Sequence, residues 1–191
     1  FEHKLDSENL RKRALIIKNQ LLNEIRNNKA YINLLEQLKD YHENLITHSV
    51  NTTCIALMLG LVLEMSDEDL IDLATATAFA DIGFTKVSHE EFQNYIKNKE
   101  NHKHIYEYQI KVLKEKSAQY DILKKKNIVY GILDRHEYYN GQGFPSMKKG
   151  NEISLFGRII HIAQYYDELV GGYFDSESIN PFRATLNMIN D

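Results

Sequence analysis

The chain has 191 residues, 43% of them hydrophobic and 26% charged, and a formal net charge of -4. It is long enough for one domain with a real core, and it lacks the basic excess that nucleic-acid binding needs, so no nucleic-acid partner is expected. A lone cysteine, Cys54, excludes an internal disulfide and a thiolate zinc cluster and suits a reducing compartment. No apolar run is expected to reach transmembrane length and no signal-peptide pattern opens the chain, so a cytoplasmic setting is expected. The first residue is Phe1 rather than methionine, so a longer parent is expected, with this chain as the cytoplasmic part of a membrane-attached protein as one form of it.

Two prolines, nine glycines and apolar residues repeating at three-to-four spacing predict an all-α fold. Residues 5–28 are amphipathic, with Leu10, Ala14, Ile17, Leu21 and Ile25 on one face. A second pattern runs through Ile32, Leu35, Leu38 and Leu45. Residues 47–64 predict a buried helix with His48 near its start. Ser66 with Asp69 resembles a capping box opening a helix to about Asp81, and Ser88 with Glu91 repeats the device. Further helices are predicted at 103–116, 120–138 and 155–170, with a loop at 171–181. Residues 1–40 are expected to stand apart as linker or packing helices. Packing on the domain's own core is preferred over a homodimer through these helices, because no heptad pattern is sustained.

Between two of these helices lies Arg135-His136-Glu137-Tyr138-Tyr139-Asn140-Gly141-Gln142-Gly143-Phe144-Pro145. Its glycines permit positive φ angles and close backbone approach, and its proline restricts the exit. Histidines and carboxylates recur at helix ends: His48, Asp81, His102, His104, His136 and Asp167. Helix ends that converge can build a metal site from such dispersed ligands, since neutral imidazole and carboxylate suit divalent transition metals. Glu137 beside His136 lacks a recognisable nucleophile, which argues against a hydrolytic dyad. Tyr106, Tyr108, Tyr138, Tyr139, Tyr165 and Tyr166 have the chemistry to stack a guanine base, although helix packing is the commoner role. Lys124, Lys125 and Lys126 read as a solvated face.

Thr47-His48-Ser49-Val50-Asn51, then Ala80-Asp81-Ile82-Gly83, then a histidine before an apolar helix, then Arg135 to Pro145, resemble the HD-GYP family. These are HD-superfamily phosphohydrolases that linearise the bacterial second messenger cyclic di-GMP. The resemblance covers residues 42–183. It continues through Gly157 to Leu169, and Asn180-Pro181-Phe182-Arg183 is similar to the family's Arg-Pro-Tyr-Arg segment. It implies an HD-domain-like helical bundle over 41–191, preceded by N-terminal linker helices, with its C-terminal end expected to be truncated.

Residue by residue, the resemblance makes His48 a metal ligand and Asp81 the carboxylate that bridges two metals. Ala80 stands where the superfamily's histidine belongs. Phe84 replaces a lysine that assists substrate phosphate, and Lys86 comes two residues too late. The next ligand histidine is matched best by His104, with His102 as the alternative. Arg135 takes the place of the first histidine of a pair whose second member is His136. Gln164 stands at a ligand aspartate, and Asp167 matches a structural helper. Gly143, Phe144 and Pro145 keep the loop signature, without the tyrosine hydroxyl.

The family's two or three metals activate a water against the phosphodiester. Here one metal would be left with His48 and Asp81, the other with Asp81, His104 and His136. The expected cofactor is therefore none, or a single divalent iron or manganese. Ala80, Asp81, Arg135 and Gln164 are expected to form a vestigial catalytic site. A guanidinium at 135 would repel a cation and pair with Asp81, or else turn outward to solvent. The expected function is a catalytically impaired bacterial signalling module that binds a protein partner, such as a diguanylate cyclase domain or an upstream sensor. The alternatives are an active cyclic di-GMP phosphodiesterase with a reduced metal site, and a non-catalytic cyclic di-GMP receptor using Gly143, Phe144, Pro145 and Arg183.

Overall fold

Local side-chain caps set several helix starts. Ser66 Oγ accepts from the Asp69 amide at 3.1 Å, so the helix begins at Asp67. Ser88 and Glu91 form a reciprocal box, Glu91 N to Ser88 Oγ at 3.2 Å and Ser88 N to Glu91 Oε2 at 2.9 Å. Ser154 caps the helix that starts at Leu155 through the Gly157 amide, and Gly172, at φ +62°, closes it. A computed structural model describes residues 7–27, 29–41, 43–97, 102–172 and 177–190. Among them it contains nine α-helices and no strand, an all-α bundle as the periodicity predicts.

The helices are α1 (Ser7–Asn27), α2 (Lys29–Tyr41), α3 (Glu43–Val62), α4 (Asp67–Ala78), α5 (His89–Lys97), α6 (His102–Gln119), α7 (Lys126–Asp134), α8 (Leu155–Gly171) and α9 (Pro181–Asn190). Three differ from the sequence reading. Leu45, read with the second pattern, belongs to α3, which starts at Glu43, and not to α2, which ends at Tyr41. The helix expected over 120–138 is a 3-10 turn at Asp121–Lys124 followed by α7. Lys125 separates them in an extended conformation, and its amine binds Asp72 of α4 at 2.7 Å. Lys124 binds Asp121 and Lys126 lies over the Tyr130 ring, so this lysine run is engaged within the molecule. Finally, α9 lies beyond the expected loop. Asn180 Oδ1 accepts from the Arg183 amide, and Pro181 occupies the first helical position, which tolerates it.

The core forms around α3, which packs against α2, α4 and α8, while α7 fills the space between α4 and α8. Ala56, Leu70, Leu73, Phe79, Ile128, Ile132 and Ile160 are fully buried there. The window Asn44–Val62 is long and apolar enough to cross a membrane by length and composition, which corrects the expectation that no apolar run reaches that size. A central core helix needs the same composition, and Leu45, His48, Ser49, Thr52 and Ala56 are buried inside the bundle.

Ile17 of α1 and Tyr31, Leu34 and Leu38 of α2 belong to the same buried cluster. The Tyr31 and Thr75 hydroxyls are hydrogen-bonded, and Arg13 Nη2 donates to Met65 O at 2.7 Å and Asp67 Oδ1 at 3.0 Å. Since Leu38 is fully buried, Leu38→Ala is expected to lower stability to chemical denaturation by about 2–5 kcal/mol, without changing helix content in buffer. A loss below about 0.5 kcal/mol, the range of surface substitutions, would mean that α2 contributes nothing to the core.

Candidate functional site

Four chain segments place polar groups together inside this apolar bundle. The buried face of α3 presents His48, and the turn after α4 presents Asp81. The end of α7 presents Arg135, and α8 presents Gln164 and Asp167 one turn apart. All five are buried, Arg135 to 2% exposure. The placement follows from helix periodicity: His48 shares a face with Thr52 and Ala56, and Gln164 and Asp167 share one with Ile160 and Ala163.

Asp81 is the hub. Its Oδ1 accepts from Arg135 Nη2 at 3.1 Å and its Oδ2 from Gln164 Nε2 at 3.2 Å. His48 Nε2 lies 3.8 Å from the same Oδ2, and His48 Nδ1 donates to Asp167 Oδ2 at 2.7 Å. Burial alone would lower the His48 pKa. The Asp167 hydrogen bond and the charges of Asp81, Glu168 and Asp167 outweigh it, so the pKa is raised and the imidazolium is favoured. Two carboxylates thus face two cationic side chains. Arg135 also donates from Nη1 to Ile132 O at 3.0 Å, while its buried Nε has no partner among the described residues. The inward placement of Arg135 is the sequence expectation realised; the outward one is not observed.

The glycine-rich loop is built around two buried carboxylates. Glu137 accepts from the Ser146 and Lys148 amides at 2.7 and 3.0 Å, so it staples the loop rather than serving as a base. Asp134 accepts from Lys148 Nζ at 2.6 Å and from the Ser154 amide at 2.9 Å, joining the loop to α8. Gly141 supplies the left-handed φ of +82°. Gly143 serves close approach instead, since a Cβ there would lie 2.1 Å from Tyr138 N and 2.5 Å from Glu137 Cα. The Phe144–Pro145 peptide is cis. Phe144 stacks on His136, with centroids 4.8 Å apart and planes at 13°.

The structure therefore brings His48, Asp81, Arg135, Gln164 and Asp167 together, with His136 beside Phe144. Ala80 is fully buried next to Asp81. His102 and His104 lie in α6, but their side chains fall outside the described residues. Arg183 is exposed at the start of α9, and its guanidinium makes no hydrogen bond or ion pair to the described residues. Sequence reasoning did not find Asp134 as a tie, Gln109 or His161. Gln109 Oε1 accepts from the Gly83 amide at 2.7 Å, and His161 Nδ1 donates to the Arg135 carbonyl at 2.8 Å. The only signal for Asp134 was a carboxylate ending an apolar helix, which also fits an ordinary surface residue.

A metal centre of the kind the resemblance implies does not fit these residues. A bridging carboxylate must offer its oxygens to cations, whereas both oxygens of Asp81 accept N–H donors here. A guanidinium, charged at any pH a protein survives, stands where the resemblance implies a ligand histidine. Among the described residues no cluster of three or more histidines, cysteines or acidic residues is arranged to hold a metal ion.

A family model described as HD domain matches residues 33–191. Among solved structures, the fold is similar to a crystal structure of a cyclic GMP-AMP specific phosphodiesterase in V. cholerae. The TM-score is 0.54 and the identity 20%, over 84% of this chain and 42% of that one. At that identity the likeness is one of fold, and this chain spans less than half of that neighbour's length. No curated protein matches the chain by sequence.

Asp81 and Arg135 are both buried, so removing one charge leaves the other uncompensated. Asp81→Asn is expected to cost about 3–5 kcal/mol of folding stability, and Asp81→Leu with Arg135→Met to cost less than the single change. Denaturant unfolding of both variants checks this; a double variant weaker than Asp81→Asn would contradict it.

Proposed function

The chain belongs to the HD domain family, and from that premise we propose that it is a catalytically impaired module of the HD-GYP type, acting through binding rather than hydrolysis. The observation that carries this reading is the buried Arg135 guanidinium 3.1 Å from Asp81. Phosphodiester hydrolysis in such a fold needs an activated water and charge neutralisation at several phosphate oxygens. Here Asp81 is engaged by protein donors, and the positions of Ala80, Arg135 and Gln164 offer no imidazole or carboxylate. Phe84, fully packed against Phe92 and Tyr95, leaves no ammonium where the family places one for phosphate.

The chain's own residues then do structural work at this centre. Arg135 and Gln164 hold Asp81, Asp167 holds His48, and Glu137 and Asp134 keep the loop in its shape. The module's output is protein binding, with a diguanylate cyclase domain or an upstream sensor as partner in a bacterial cyclic dinucleotide pathway, in the cytoplasm. The N-terminal helices suit a relay. Helix α2 packs on the 3-10 turn Ile82–Lys86 that directly follows Asp81, and Arg13 of α1 grips the turn before α4. A shift of either helix bears on the segment that carries Asp81.

The rival reading, a single iron or manganese at Asp81, His104 and His136 supporting turnover, is disfavoured by the same pairing, because a cation there must first displace Arg135. The fold neighbour's substrate sets the range of the test. With manganese or ferrous iron supplied, cyclic di-GMP and cyclic GMP-AMP are both expected to remain intact by chromatography at the no-protein rate. Linear product formed in proportion to enzyme would contradict the proposal. Arg135→His combined with Gln164→Asp restores two ligand types without enlarging either residue beyond its site. This variant is expected to acquire manganese binding by calorimetry that the parent lacks, and no gain would mean that Arg135 is not what blocks the site.

A further inference from the structure

A groove of about 720 Å³ is lined by residues of the 138–150 loop, by His161, Ile162 and Tyr165 of α8 and by Met188 of α9. Its volume lies within the range of small-molecule sites. Tyr138, Tyr139 and Ile162 line it and remain 46%, 64% and 45% exposed, an unusual concentration of large apolar surface in one concavity. Among the described residues no carboxylate lines it, Lys149 is its one lysine or arginine, and the Lys149 amine has no ion-pair partner. His161 forms the floor. Its Nδ1 faces the Arg135 carbonyl, which can only accept, so Nδ1 carries the proton and Nε2 of the neutral ring is an acceptor. Burial also keeps the His161 pKa below its ordinary value, against the opposing Arg135 carbonyl and Glu168. Nε2 has no hydrogen-bond partner among the described residues.

Flat aromatic walls, an acceptor on the floor and a single free ammonium at the rim define a ligand. It has a planar heterocycle, an N–H or amino group on that ring, and one anionic group. We propose that this groove binds a purine nucleoside monophosphate, with the base against Tyr138 and Tyr139, a ring N–H or amine on His161 Nε2, and the phosphate at Lys149. None of His48, Asp81, Arg135 and Gln164 lines the groove, so the site goes beyond the vestigial centre and does not depend on it. The two are nonetheless joined, because the floor residue His161 is hydrogen-bonded to the backbone of Arg135.

Calorimetry with AMP and GMP on the whole chain tests the proposal, with adenosine and inorganic phosphate as controls. Saturable one-to-one binding of at least one nucleotide is expected. Tyr139→Ala and Lys149→Glu, at exposed or half-exposed positions where folding is tolerant, are each expected to weaken it by about tenfold, the scale of losing one stacking face or one charge contact. Adenosine is expected to bind more weakly than AMP, and phosphate alone is expected not to saturate. The proposal is overturned if neither nucleotide saturates at millimolar concentration, or if both groove variants bind normally.

Discussion

The hydrogen-bonded ion pair between Arg135 and Asp81 is the constraint on which the interior of this domain depends. Asp81 lies where α4 gives way to the 3-10 turn, Arg135 where α7 ends, and Gln164 midway along α8. Three elements meet at one carboxylate. Taking a carboxylate and a guanidinium out of water costs several kcal/mol each, and their attraction repays this only with good geometry and further hydrogen bonds. Those further bonds are present: Gln164 on the second Asp81 oxygen, Ile132 O on Arg135, and Asp167 on His48. Within the pair itself, Arg135 Nε is left without a partner among the described residues. A buried pair of this kind stabilises little beyond what apolar residues would, but it fixes which helix ends may meet.

Charge balance explains why three departures from the HD-GYP pattern sit together without disrupting the fold. Metals in such a site neutralise a concentration of carboxylate. Where the resemblance implies an aspartate and two histidines, Gln164 brings no negative charge, Arg135 supplies a fixed positive one, and Ala80 brings no imidazole to satisfy. The raised His48 pKa belongs to the same balance, since its proton is held between Asp81 and Asp167. The loop needs none of this. Glu137 and Asp134 hold it through backbone amides and Lys148, and Gly143 lets it pass within contact of residues 137 and 138. A loop supported by its own carboxylates keeps its shape whatever happens at Asp81.

Much of this was legible in the sequence because its determinants are local. Ser66 and Ser88 cap helices with partners three residues away, and the apolar run over 47–64 identifies α3 as a buried helix. The start of α3 at Glu43, ahead of Leu45, and the shortness of α7 were not legible. The apolar rhythm runs on through both places, and what ends α7 is a tertiary tie from Asp134 to Lys148 and Ser154. The Asp81–Arg135 pair spans 54 positions; the family motif brought the two together, where spacing alone did not. The roles of Glu137 and His161 depend on backbone groups, an amide pair and a carbonyl, which carry no residue-specific signal. The tyrosine-lined groove was equally hidden. Tyr106 is buried whereas Tyr139 is exposed, and the sequence does not sort one from the other.

The central claim is that Asp81 is held by an internal cation and not by a metal. Thermal unfolding in excess manganese, compared with unfolding in chelator, tests it most directly. An ion that binds only the folded state at a hundred times its dissociation constant adds about 2.7 kcal/mol and raises the midpoint by several degrees. The account predicts the same midpoint in both buffers, within error. A rise of several degrees with manganese that disappears on Asp81→Asn would contradict it.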